Sequence, residues 1–209
     1  MSEAHSNVYR LKRPSDFLSA LIGIVLSSPL WLIISLAIYA EDRGPIFFLQ
    51  ERCGKGDTRF HMIKFRTMKP LQKGEAHEIS HLEKDPRVTR TGRVLRTTAM
   101  DELPNLINIV KGDMSFVGPK PLPFKVGVGH RRDYDNITQV PGYELRSQVR
   151  PGLTGVAQIY GAKSTRHEER FQLDAEYIEK MSFWLDLKLI FISFWVTFKG
   201  RWEQKEKKL

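Results

Sequence analysis

The chain has 209 residues, enough for one domain with a short appendage but not for two full domains. Hydrophobic residues make up 41% and charged residues 27%, which excludes wholesale disorder, and a mean hydropathy of −0.34 excludes a polytopic membrane protein. Lys and Arg number 33 against 24 Asp and Glu, a net charge of +9 that points to anionic partners; the single Cys53 excludes a disulfide framework and a cysteine-based metal site.

Residues 17–40 form the first element, a run of 24 without a charge between Arg10, Lys12 and Arg13 on one side and Glu41, Asp42 and Arg43 on the other. As a straight helix it would measure about 36 Å, enough to cross a hydrocarbon core of about 30 Å. It exceeds the apolar region of a signal peptide, and cleavage after Ala40 would put Ile38 where a small residue is wanted. Ser27, Ser28 and Pro29 sit near its centre. Proline removes an N–H and clashes with the preceding turn, while serine hydroxyls satisfy the carbonyls set free. From these residues alone, a kinked span and a re-entrant helix with both ends on one face stand side by side.

Gly44 and Pro45 break the chain, and the apolar runs IFFLQ and RFHMIKF around Cys53–Asp57 then read as a β-hairpin. The GKG inside that turn lacks the spacing of a phosphate-binding P-loop. Residues 69–90 are polar and read as a loop containing His77, Glu78 and His81, which match the zinc-protease pattern H-E-x-x-H. Pro86 and the charged flanks speak for an exposed loop over a buried zinc helix, which would use Glu78 as base.

Residues 102–112 show helical apolar spacing with Gly112 as a stop. Asp101 would then be the N-cap, held ionised by the helix terminus, which also attracts phosphate. Such a carboxylate is either a cap and nothing more or a nucleophile toward phosphorus, with Glu102 holding a divalent cation. Residues 118–123, GPKPLP, must be extended, and residues 151–155 read as a rigid turn. Residues 166–181 read as an amphipathic helix. Residues 183–202 combine large apolar groups with Trp184, Trp195 and Trp202, which suits either a core-packing helix or a headgroup interface.

A cationic set runs through the chain, Arg52, Lys64, Arg66, Arg87, Arg90, Arg93, Arg96, Lys120 and Arg150, and several of these stand beside Gly or Pro, where phosphate can approach. Singly, each reads as a solvated charge. No nucleic-acid-binding signature accompanies the set, so no nucleic-acid partner is expected.

In order, the segments QERCG at 50–54, KFRTM at 64–68, DPRVTR at 85–90, GRVLR at 92–96, DELP at 101–104, LINIVKGDMS at 106–115, VGPKPL at 117–122, VRPGLTG at 149–155 and LDLK at 185–188 resemble the bacterial sugar transferase family. Those enzymes are monotopic phosphoglycosyl transferases that start glycan assembly on a polyprenyl phosphate. The resemblance implies a helix-rich α+β fold with a re-entrant membrane helix broken at Ser28 and Pro29, a small β-hairpin and interfacial amphipathic helices. It divides the chain into a membrane region at 1–43, a catalytic domain at 44–182 and an interfacial tail at 183–209. It implies Asp101 as nucleophile, Glu102 as Mg²⁺ ligand, and Arg52, Lys64, Arg66, Arg87, Arg96, Lys120 and Arg150 as substrate-binding residues. The implied partners are a UDP-sugar, polyprenyl (undecaprenyl) phosphate, anionic lipid and a second copy of the chain, at the cytoplasmic face of a bacterial inner membrane. Where the family usually has Pro-Arg-Pro this chain has Pro119, Lys120 and Pro121, a point charge in place of a bidentate fork. The rival readings are a membrane zinc peptidase built on His77 and His81, and a basic membrane-surface module without catalysis.

Overall fold

A computed structural model describes residues 9–69, 85–123, 137–161 and 166–198. His77, Glu78 and His81 lie outside the described residues, as does Trp202.

Helix α1, Lys12–Asp42, is 31 residues long and continuous through Pro29. The reason is local. Pro29 cannot donate to the Val25 carbonyl four residues back, and the Ser28 hydroxyl donates to it instead, at 2.8 Å. Ser27 Oγ donates to Gly23 O at 2.6 Å and accepts from Trp31 Nε1 at 2.9 Å, so the turn around the proline keeps its hydrogen bonds. Among the described residues, α1 is the helix long and apolar enough to cross a membrane, and protein covers little of it: Val25, Leu26, Leu32, Ile33 and Leu36 are exposed.

The hairpin forms as expected, with β1 (Phe47–Cys53) antiparallel to β2 (Arg59–Phe65) and Phe47 opposite Phe65. Phe60 and Met62 point inward from alternate positions of β2, which puts Lys64 on that same face. Helix α2 is Arg90–Thr98, and α3 is Asn105–Lys111, closed by Gly112 at φ 95°. Residues 115–117 form β3, and residues 152–154, expected as a turn, form β4, paired parallel with β3. The pairing brings the backbones so close that a Cβ on Gly152 would lie 2.1 Å from Gly118 N, a fact no local reading of PGLTG contains. Short helices α4 (Tyr143–Ser147) and α5 (Val156–Tyr160) follow, then α6 (His167–Lys180) and α7 (Phe183–Phe198).

Three apolar clusters hold these elements together. Val117, Val156, Tyr177, Ile178 and Leu189 join β3, α5, α6 and α7. Ala20, Phe60, Met62, Leu106, Ile109 and Met114 seat α1 and the hairpin on α3. Ile34, Ile38, Phe65 and Leu95 seat the second half of α1 against β2 and α2. Helix α7 packs Leu189 and Val196 into the core, while Phe183, Trp184, Phe191, Phe194 and Trp195 stay exposed.

Candidate active site

Asp101 and Glu102 lie in a 3₁₀ turn, Met100–Glu102, between α2 and α3. Asp101 is therefore not the N-cap expected of it. Pro104, already in helical conformation, takes that position, and no side chain caps α3. What turns the chain is Ala99, left-handed at φ 54°, a conformation costing an alanine about 1–2 kcal/mol. Its N–H closes α2 on the Arg96 carbonyl, and the 3₁₀ turn starts from it.

Two contacts place α2. Gly92 sits so close to Thr67 that a Cβ there would come within 2.1 Å of the Thr67 carbonyl oxygen. Thr89 donates its N–H to the same carbonyl and caps α2 by accepting from Gly92 N at 2.9 Å. Arg96, on this helix, donates from Nε to Thr67 Oγ1 at 2.9 Å. On the other side, Asn108 of α3 ties the helix to β2: its Oδ1 accepts from Ile63 N at 3.1 Å and its Nδ2 donates to His61 O at 2.8 Å. With β2 thus fixed on α3, Lys64 donates to Glu102 Oε1. Asn108 is a positioning residue that sequence reasoning missed; its signal was a polar side chain at a buried position of the LINIV run.

The electrostatics differ from the expectation of a carboxylate held ionised by a helix terminus. Burial pushes the Asp101 carboxyl up to about 6; the Glu102 charge adds to this, and Lys64 and Arg96 offset only part of it. Helix α3 is short, and desolvation outweighs its pull.

The other cations are distributed unevenly. Lys120 is exposed and within electrostatic reach of Glu102, Lys64, Arg52 and Arg170. Arg52 donates to Gln50 Oε1 and to Pro121 O, which ties the hairpin to the segment carrying Lys120. Arg66 is buried, its guanidinium bound to Asp42 and the Pro45 carbonyl, so it clamps the end of α1 to the end of β2. Arg87 is held by Asp85, 2.7 Å from Nη2 to Oδ2. Arg90 and Arg93 are exposed on α2, and the Arg90 backbone N–H donates to Glu41 at 2.7 Å. Arg150 donates to Gly112 O at 2.7 Å, at the far end of α3. The structure thus brings Lys64 and Arg96 to Asp101 and Lys120 to Glu102, sets Arg52 next to Lys120, and places Arg66 and Arg150 in internal contacts.

Among the described residues no group of three His, Cys, Asp or Glu side chains could hold a metal by itself. Mg²⁺ rarely asks for one; it keeps waters and binds through one or two carboxylates plus substrate phosphates. Adjacent Asp101 and Glu102 fit that donor set, with Glu102 Oε2 remaining beside the oxygen that Lys64 engages.

Residues 7–200 match the family described as "Bacterial sugar transferase". The chain is 38% identical over 195 residues to the UDP-glucose:undecaprenyl-phosphate glucose-1-phosphate transferase of Escherichia coli (strain K12), covering 91% of this chain and 40% of that protein. It is 40% identical over 186 residues to the UDP-N-acetylgalactosamine-undecaprenyl-phosphate N-acetylgalactosaminephosphotransferase of Aeromonas hydrophila, covering 87% of this chain and 42% of that protein. With "Exopolysaccharide production protein ExoY" of Rhizobium meliloti (strain 1021) it shares 37% over 196 residues, 86% of this chain and 82% of the relative. The chain therefore spans less than half the length of the first two and most of the third.

Proposed function

The chain belongs to the bacterial sugar transferase family, and from that premise we propose that it moves a sugar 1-phosphate from a UDP-sugar to undecaprenyl phosphate, the first step in building an exopolysaccharide. The observation that carries the proposal is the Asp101–Glu102 pair, set out on the Ala99 turn and faced by Lys64, inside a chain that matches this family over nearly its whole length. The relatives' names supply the two substrates.

In the first step an Asp101 carboxylate oxygen bonds to the β-phosphorus of the donor. The bond from that phosphorus to the bridging oxygen breaks, and UMP leaves with the electron pair. In the second step an oxygen of undecaprenyl phosphate attacks the same phosphorus and frees Asp101, leaving an undecaprenyl-diphosphate sugar. A half-buried carboxylate suits this role, because it approaches an anionic diphosphate with little hydration to shed. Lys64 orients Glu102, and Lys64, Arg96 and Lys120 supply positive charge where the diphosphate lies. Glu102 would hold Mg²⁺, which when bound neutralises charge on the diphosphate.

The lipid acceptor requires the site to sit at a membrane surface. Helix α1 is proposed to enter the bilayer re-entrantly, with both ends at the cytoplasmic face where nucleotide sugars are made. In support, its start is tied to the catalytic domain by Lys12–Asp186 and by Arg13 on the Ile109 and Val110 carbonyls. Its end is tied to the same domain by Asp42–Arg66. The zinc-peptidase reading has no observation in its favour, since His77 and His81 lie outside the described residues.

The test is UMP release by the purified protein with Mg²⁺ against a panel of UDP-sugars. Wild type is expected to turn over at least one donor, and Asp101→Asn to lose turnover by about a thousandfold or more, since an amide does not attack phosphorus. Without acceptor, wild type should gain one phosphosugar in mass and Asp101→Asn none. Full UMP release by Asp101→Asn would overturn the nucleophile assignment.

A further inference from the structure

The residues at the end of β2 meet three different elements. Lys64 donates to Glu102, Arg66 clamps the end of α1 through Asp42, and Thr67, just past the strand, turns to α2. Thr67 is 9% exposed and makes two separate contacts there. Its backbone carbonyl accepts the Thr89 N–H at 3.1 Å and lies against Gly92, which seats the first turn of α2. Its hydroxyl oxygen accepts from Arg96 Nε at 2.9 Å. Gly92 and Arg96 are four residues apart on the helix, so both face Thr67. The backbone contact holds α2 without any help from the hydroxyl.

Arg96 is exposed, and an exposed arginine ordinarily samples many rotamers. Its guanidinium is planar, with one N–H on Nε and two on each Nη. Anchoring Nε fixes that plane and leaves the Nη1–Nη2 edge as a fork matched to two phosphate oxygens. Arg66 shows the contrast: its Nε and both Nη atoms are taken up by the Pro45 carbonyl and Asp42. Among the described residues, no protein group accepts from either Nη of Arg96. The fork stands on the helix that ends at the Ala99 turn, and its charge acts on Asp101.

We propose that Thr67 is a positioning residue: its hydroxyl holds Arg96 by Nε so that the Nη fork engages the phosphate that Asp101 attacks. Arg96 touches the substrate, and Thr67 acts through Arg96. The inference rests on the sugar 1-phosphate transfer proposed above and adds the group that aims one of its cations. A fork aimed at the reacting phosphorus binds its oxygens best in the transition state. Mis-aiming it therefore lowers kcat more than it raises KM.

The test uses the full chain in lipid nanodiscs. Thr67→Val keeps the branched shape and the backbone carbonyl but removes the hydroxyl; Thr67→Ala, which also keeps the carbonyl, replaces it if Thr67→Val does not fold. The variant should lower kcat for UMP release about tenfold or more with KM within about threefold. Thr67→Ser should restore kcat to within about threefold of wild type. In an Arg96→Lys background, which has no Nε–H, adding Thr67→Val should cost less than about twofold. A further tenfold loss in that background would show Thr67 acting independently of Arg96 and overturn the assignment. Wild-type kcat in Thr67→Val, or no restoration by Thr67→Ser, would overturn it too. Arginine ¹⁵N spectra give a reading that needs no turnover, and they decide the matter if Arg96→Lys is too slow to assay. The Nε–H signal that Arg96→Lys deletes should exchange slowly with water in wild type and Thr67→Ser and fast in Thr67→Val. Equal exchange in all three would refute the proposal. If wild type releases no UMP from any UDP-sugar, the proposed function fails; Thr67-dependent protection of that N–H would still uphold the anchoring of Arg96, and its absence would overturn it.

Discussion

The side chains that decide this site are those whose partners oppose their burial. Asp101 is desolvated next to Glu102, and Lys64, Arg96 and a backbone N–H offset part of the cost of its ionised form. Asp174 is a second such case, away from the chemistry. It is buried under Arg146, yet burial pushes its carboxyl up to about 6 against the pull of Arg146 and Arg170. The sign follows from linkage: a folded carboxyl with a raised pKa keeps its proton where the unfolded one has lost it, so stability falls as pH rises from about 4 to about 6 and then levels off. Asp174→Asn has no such proton to lose. The stability of wild type relative to Asp174→Asn is therefore expected to drop by roughly 2 kcal/mol between pH 4 and pH 6.5. Paired denaturation curves at the two pH values check this, and a difference that does not change with pH would refute it.

At the scale of elements, α1 shows how a helix of membrane-spanning length is held to one body. Arg13 caps the last carbonyls of α3, where cations are favoured, and Glu41 accepts the first N–H groups of α2 at 2.7 and 2.9 Å. Between these ends a Cβ on Gly23 would touch Leu106, and Ile34 and Ile38 pack on Phe65 and Leu95. On the proposed re-entrant reading, the polar domain attached to both ends of α1 stays on one side of the bilayer. Cysteines introduced at Arg10 and at Glu179 in a Cys53→Ser background are accordingly expected to resist a membrane-impermeant thiol reagent in intact cells and to react together after permeabilisation. Labelling of one without the other in intact cells would rule out the re-entrant arrangement.

For the whole molecule, closure depends on a buried polar knot joining its two ends. Lys12 at the start of α1 donates to Asp186 on α7 and, at 3.2 Å, to Tyr177 OH. Tyr9 OH and Tyr177 OH donate to the two Asp186 oxygens at 2.8 and 2.7 Å. Removing one charge strands the other in a low-dielectric interior, at a cost of about 3–5 kcal/mol, whereas removing both strands neither. Lys12→Met and Asp186→Asn should each lower the thermal midpoint, and the double variant should be less destabilised than the sum of the two by at least about 1 kcal/mol. Strict additivity in that cycle would show that the pair is not coupled.

Much of this protein was determined by its sequence alone, where the signal is local. The uncharged run became α1, the apolar IFFLQ and RFHMIKF runs around a Gly-containing turn became a hairpin, Gly112 ended α3, and the DELP stretch marked the carboxylate pair. Each rests on residues a few positions apart, whose periodicity or backbone preference acts before any tertiary contact forms. Contacts between distant residues were decided by the tertiary structure. The β3–β4 pairing joins segments with little strand character of their own, through glycines that allow close approach. The same cationic residue type became a clamp at Arg66 and a neighbour of the site at Arg96, because Asp42 and Thr67 happened to be the groups each one met. The ionisation of Asp101 was likewise beyond a local reading. A helix terminus seen in sequence promises a carboxylate that ionises readily, but burial, which only packing creates, outweighs that pull and pushes the group up to about 6.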